Sequence, residues 1–284
     1  MGKKNDKMLL FMLLSMFSIS TYAFDIAVKN AGGKDIYYIW NDSKTELIVT
    51  NDNRVVSGME YTYKHFDFYN GDVVIPEKVL IEGKYYPVTG IGNAAFGGCT
   101  KVTNVIIPNT VKTIGYDAFW DCYSLSNIII PNSVETIDYC AFEHCAGFTE
   151  ITIPASVISI ESAAFNGCVN LTYINIPSSL TSINHGMFED CKSLKTIILP
   201  KFITTTGSMS FRGCTSLESI IIPDGVTSIG SEAFRGCSSL ISINIPDNVT
   251  SIDYNAFQDC TSLTSIDIPG GVNSIGSDAF KGCI

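Results

Sequence analysis

A chain of 284 residues with 46% apolar and only 16% charged side chains can bury a sizeable core, which excludes a disordered chain. Its net charge of −10 leaves no basic surface for a nucleic-acid backbone and argues against anionic membrane surfaces. Length alone allows one domain or two.

Residues 1–23 read as a secretory signal peptide. Lys3, Lys4 and Lys7 make a positive start, Met8 to Ile19 is apolar except for Ser15 and Ser18, and Thr21-Tyr22-Ala23 supplies small residues at the cleavage positions. The apolar run is about half of the roughly 20 residues that span a bilayer. Cleavage would remove three Lys and Asp6, a net +2, so the mature chain carries −12. No transmembrane span is expected in it, and the signal points to a secreted or cell-surface protein.

Residues 24–87 are expected to form a β-rich cap. Ile36 to Trp40 and Glu46 to Thr50 are candidate strands, joined by a turn at Asn41, Asp42 and Ser43. Val73-Val74-Ile75-Pro76 has the same ending as the later repeats, so it is expected to start their long sheet. Glu82-Gly83-Lys84 suggests a small hairpin just before Val88.

From Val88 to the end the chain repeats every 23 residues without insertion or deletion, as eight full units and a half unit. Phenylalanine recurs from Phe96 to Phe280, cysteine follows three residues later from Cys99 to Cys283, and proline recurs from Pro108 to Pro269. In Val226 to Asn248 the alternation of Ile243 and Ile245 marks a short strand with one buried face, ended by Pro246, which has no N–H for a ladder. Ala233, Phe234 and Cys237 lie three and four apart, as on one side of a helical turn that Ser228 or Ser231 would cap and Gly236 would close. A single unit cannot bury its apolar side, whereas stacked units share a continuous core.

The pattern V-x-x-I-x-x-x-A-F-x-x-C-x-x-L-x-x-I-x-I-P-x-x over residues 88–284 resembles the BspA-type leucine-rich repeats. The resemblance implies an extracellular curved solenoid on the surface of host-associated bacteria, with adhesion to host matrix proteins or other cells among the family's roles. The expected fold is an α/β repeat solenoid, a right-handed coil with a parallel β-sheet on one face and short helical turns on the other. Departures from the pattern gather in the sixth unit, Ile203 to Gly225, where Thr206 replaces an inward Ile and Ser210 the small Ala, so this unit should be locally weakest.

Nine cysteines should form an inward ladder of buried free thiols acting as small hydrophobes, because parallel Cβ vectors do not favour bridging and a line of thiols makes no tetrahedral site. Cys140 stands off that ladder and is the better candidate for an accessible thiol. His65, His144 and His185 share no motif. Asp121 precedes His144 by one unit, so the two could stack, and Glu143 or Asp138 could add to them, although solvated outer-face residues are the favoured reading. No general base with a matched nucleophile appears, so no enzyme, cofactor or metal is expected.

Binding is expected on the outward side of the sheet, where alternate residues face away from the core. The candidates are Ile106, Asn127, Ile129, Glu150, Tyr173, Asn175, Ile198, Ile221 and Asp267. Ile106 with Ile129, and Ile198 with Ile221, make two apolar pairs around a polar centre at Thr152 and Asn175, with Tyr173 as anchor. The expected partner is an extracellular protein or glycan, a host matrix protein among them, and not nucleic acid. The alternatives are a structural surface spacer or the N-terminal fragment of a larger receptor or enzyme, since Lys281 to Ile284 halts midway through a unit.

Overall fold

A computed structural model describes residues 26–51 and 68–284. The signal segment and His65 lie outside the described residues. The architecture is a parallel β-solenoid in which the 23-residue coils contribute short strands to two separate ladders, two per coil in most of the stack.

The first ladder is the expected one. Strands such as Val102–Ile106, Asn127–Ile129 and Ser219–Ile221 pair in parallel with residues one unit apart facing each other, as in Asn104 opposite Asn127. The second ladder comes from the V-x-x-I half of the unit. Thr113–Ile114 pairs with Thr136–Ile137, which pairs with Ser159–Ile160, and the series resumes from Ser182–Ile183 to Ser274–Ile275. Two residues per strand suffice because the stacked coils hold each short strand in register with its neighbours.

The predicted helical turns are absent: no described residue is helical. The spacing of Ala233, Phe234 and Cys237 puts them on one inward side, as expected, but the backbone is a chain of tight turns. Every second N–H closes a local turn, as in Cys122 N to the Phe119 carbonyl, while the N–H groups between them cross to the next coil. Two left-handed residues four positions apart in each coil enforce this, for example Asp117 (φ 53°) and Asp121 (φ 56°), then Cys140 and His144. The second of the two positions holds only Gly, Asp or His along the stack, residue types that tolerate positive φ. Since an α-helix cannot contain left-handed residues, helical spacing of the apolar side chains was not enough to make one. The crossing bonds form three columns of eight; in the central one Phe96 N donates to Ala118 O, Phe119 N to Ala141 O, and so on to Phe257 and Ala279.

Inside, the phenylalanines stack from Phe96 to Phe280 with centroids 4.9–5.9 Å apart and ring planes within 17° of parallel. Beside them, each thiol from Cys122 to Cys283 lies 3.1–3.3 Å from the phenylalanine carbonyl of the preceding coil. That carbonyl already accepts the N–H of its own coil's cysteine, so the S–H fills its second lone pair. This is a physical reason for cysteine in this place rather than alanine or valine. Cys140 does not match the expectation of an accessible thiol: it is buried, as are all the others except half-buried Cys283.

Before the repeats, strands β1 (Ile26–Lys29), β2 (Asp35–Trp40) and β3 (Leu47–Thr50) form an antiparallel sheet. The β2–β3 turn is held by Asn41, whose side-chain oxygen accepts the N–H groups of Thr45 and Glu46. β4 (Gly71–Val74) pairs with Val102–Ile106 and so does begin the first ladder. β5 (Lys78–Ile81) and β6 (Lys84–Ile91) make the expected hairpin, turning through Glu82 (φ 48°) and Gly83 (φ 81°), the two positive φ values of a type I′ loop. β6 also joins β3 to the second ladder. Tyr69 closes the end of the core: its ring lies 4.6 Å from Phe96, and its hydroxyl donates to the Thr50 carbonyl.

Candidate functional site

The first ladder presents its alternate residues outward as the pleat requires. Ile129, Ile198 and Ile221 are 72, 85 and 76% exposed, with Ile106, Asn127, Glu150 and Tyr173 also exposed beside them. Val105, Ile107, Ile128 and Ile130 from the same strands are buried.

This face is divided into three. Hydrogen-bonded strand pairing covers β4 with the next two strands, then Glu150–Ile151 with Tyr173–Ile174, then Thr196–Ile197 with the two that follow. The first segment carries Val74, Ile106 and Ile129 in direct register, an apolar strip one residue longer than the sequence reading placed there. The third carries Ile198 and Ile221. The middle one carries Glu150, Thr152 and Tyr173. Val74 was missed because it belongs to the cap, although the I-x-I-P signature at Val73–Pro76 contained the signal.

Two candidates are differently placed from the rest. Asn175 turns its amide on the backbone of the preceding coil: Ile153 N donates to its Oδ1 and its Nδ2 donates to Ile153 O, both at 2.8 Å. The side chain thus replaces ladder bonds where the strand is only two residues long, and its polar atoms are already engaged. Asp267 is exposed but lies past Ser242–Asn244, the last strand of this ladder among the described residues.

A second polar group gathers on the turn edge. His144 Nδ1 lies 2.8 Å from Asp121 Oδ1, as the one-unit spacing suggested, and His144 Nε2 is 3.9 Å from Glu143 Oε1. Asn166 Nδ2 donates to that same Glu143 oxygen. Asp138 instead accepts the Tyr139 N–H. Asp117 and Cys140, at the first left-handed position of successive coils, complete the group with side-chain ligand atoms within 4.8 Å of each other and of Glu143. Asp117 was missed, though adding one 23-residue period to it gives Cys140. Burial raises the Cys140 thiol well above its usual range, and its hydrogen bond to Glu143 raises it further. A thiol so held is a poor nucleophile at neutral pH.

Two parallel ladders, a stacked aromatic core and a 23-residue coil define a leucine-rich-repeat solenoid. Residues 84–195 and 158–284 match the BspA type leucine rich repeat region, in 6 copies, and the chain belongs to this family. Among solved structures it is similar to a leucine rich repeat protein of T. pallidum, at 27% identity over 81% of this chain and 88% of that one, with a TM-score of 0.53. A leucine-rich repeat protein from Bacteroides ovatus shows 26% identity over 92 and 93% of the two chains, with a TM-score of 0.47. The pneumococcal vaccine antigen PcpA shares the fold at 19% identity, over 92% of this chain and 80% of that one, with a TM-score of 0.51. No curated protein matches the sequence. No helix among the described residues is long and apolar enough to cross a membrane.

Proposed function

We propose that this chain is a secreted or cell-surface recognition protein that binds an extracellular protein or glycan through the outward face of its first ladder, in the manner of an adhesin. The observation that carries this reading is the pair of exposed isoleucine strips, at Val74, Ile106 and Ile129 and at Ile198 and Ile221, on either side of Glu150 and Tyr173. Exposed apolar area rimmed by polar groups is typical of a partner surface, and tyrosine is enriched at binding hot spots. A rigid sheet also holds its side chains in place before binding, so little entropy is lost on docking. Family membership and the bacterial relatives support a surface role.

The test is binding of the purified chain to an array of matrix proteins and host glycans, beside a variant with Ile129, Tyr173 and Ile198 changed to Asp. Circular dichroism first establishes that both fold. A saturable signal lost in the variant supports the proposal. A signal kept by the variant overturns the choice of face, and silence of both at micromolar protein overturns recognition of these ligand classes.

A further inference from the structure

We propose that Asp117, Cys140, Glu143 and His144 form a binding site for a divalent transition-metal ion of the zinc class, on the turn edge and away from the outward sheet face. Three observations carry it.

First, the donors are mixed and gathered. A thiol and two carboxylates have their ligand atoms within 4.8 Å of one another, and the His144 Nε2 adds an imidazole 3.9 Å from Glu143 Oε1. At metal–ligand distances of about 2.0–2.3 Å, tetrahedral donors sit roughly 3.5 Å apart, so small rotations bring the thiol and the two carboxylates around an ion, and the His144 ring, outside that trio, swings in as the fourth donor. Sulfur, nitrogen and carboxylate oxygen together suit zinc and its neighbours rather than calcium or magnesium, which prefer oxygen alone.

Second, the imidazole is oriented as a ligand would be. Asp121 Oδ1 lies 2.8 Å from Nδ1 and holds the ring so that Nε2 faces the Glu143 carboxylate. A carboxylate on the far nitrogen is the usual support of a metal-ligating histidine. Gly167, at φ 69°, leaves the space that the ring occupies: a Cβ there would lie 2.1 Å from His144 Cδ2.

Third, the burial suits a compact ion. Asp117 and Cys140 are only 3 and 5% exposed, while His144 is open to solvent and provides the way in. Asp117, Glu143 and the adjoining Asp121 concentrate negative charge on a chain that is already acidic. In the metal-free state Cys140 keeps its proton and donates it to Glu143. Metal binding forms the S–metal bond and releases that proton to solvent, with no change of oxidation state.

The test uses the tag-free chain, reduced and stripped with chelator, titrated with Co²⁺ as a spectroscopic probe and then with Zn²⁺. The expected result is one equivalent of Co²⁺ with a thiolate-to-cobalt charge-transfer band, which Zn²⁺ displaces. Cys140→Ser should abolish the band, and Asp117→Asn should weaken binding at least tenfold. Asp121→Asn, which touches no metal, should weaken it about 10–100-fold by releasing the imidazole. His185→Ala, on the same edge but outside the cluster, should bind as the unaltered chain does. Absence of the band at millimolar Co²⁺, or a band that survives Cys140→Ser, overturns the proposal. Should Cys140→Ser or Asp117→Asn not fold, Gly167→Ala is the deciding variant: it displaces the His144 ring without removing a ligand, and unchanged affinity there also overturns the site.

Discussion

Ser210→Ala should make this protein more stable. The Ser210 side chain is fully buried, and its hydroxyl has no hydrogen-bond partner. The same place in seven other coils, from Ala95 to Ala279, is alanine, so the site accommodates a methyl group without strain. An unmade hydrogen bond on a buried hydroxyl costs about 1–3 kcal/mol, and deleting the oxygen leaves only a minor void. The net gain should be about 1–2 kcal/mol, or roughly 2–8 °C in Tm for a chain of this size. Urea unfolding followed by circular dichroism should move to a higher midpoint with an unchanged slope. Hydrogen exchange should slow chiefly in the coil from Ile203 to Gly225, where Thr206 is also buried and its hydroxyl reaches the Ser228 carbonyl. The mirror substitution Ala233→Ser should lose a similar amount. An unchanged or lowered midpoint for Ser210→Ala would refute the reasoning, because the hydroxyl would then have to be satisfied after all.

Two further outcomes follow from the core. Phe165→Ala should cost about 3–5 kcal/mol, since it opens a gap between rings whose neighbours lie 5.5 and 5.9 Å away; a loss below 1 kcal/mol in urea unfolding would mean that the stack closes over the gap. Burial raises the thiols, Cys260 being pushed up to about 12, so little reactive thiolate exists at pH 7. Alkylation counted by mass spectrometry should reach half-buried Cys283 first and all ten cysteines only in denaturant; rapid labelling of Cys168 or Cys191 in the native state would contradict the ladder.

The period, the inward phenylalanine and cysteine ladders, the first sheet and the cap hairpin were legible because each follows from one rule, that like residues stack at one-unit spacing. The helical turn was misread because the apolar spacing of Ala233, Phe234 and Cys237 fits a helix and a run of tight turns equally well. What separates the two is the left-handed pair in each coil. At the second of these positions Gly236, Asp259 and His144 share a tolerance for positive φ, which was visible in the sequence. At the first, Ala94, Met209 and Glu232 carry no such sign. Asn175 looked outward by the pleat, but its short amide reaches back to Ile153 of the preceding coil, as Asn244 does to Ile222, which the alternation of residues does not reveal. The Asp121–His144 pair could be read from register, whereas its union with Asp117 and Cys140 required the turn geometry.

The three columns of bonds along the turn edge have a direction. In each, the N–H belongs to the earlier coil and the carbonyl to the later one, and a carbonyl and the next N–H in a column share one peptide unit, as Ala118 and Phe119 do. Peptide dipoles of about 3.5 D therefore add along the stack as they do in an α-helix. The turn edge thus acquires a dipole of its own, positive toward the later coils, and the column beside the second ladder opposes it: there the later coil donates, as in Gly115 N to Ile91 O and Asp138 N to Ile114 O. Each sign follows from the direction of winding and not from the number of coils, so two sides of one solenoid carry opposed dipoles however long the stack grows.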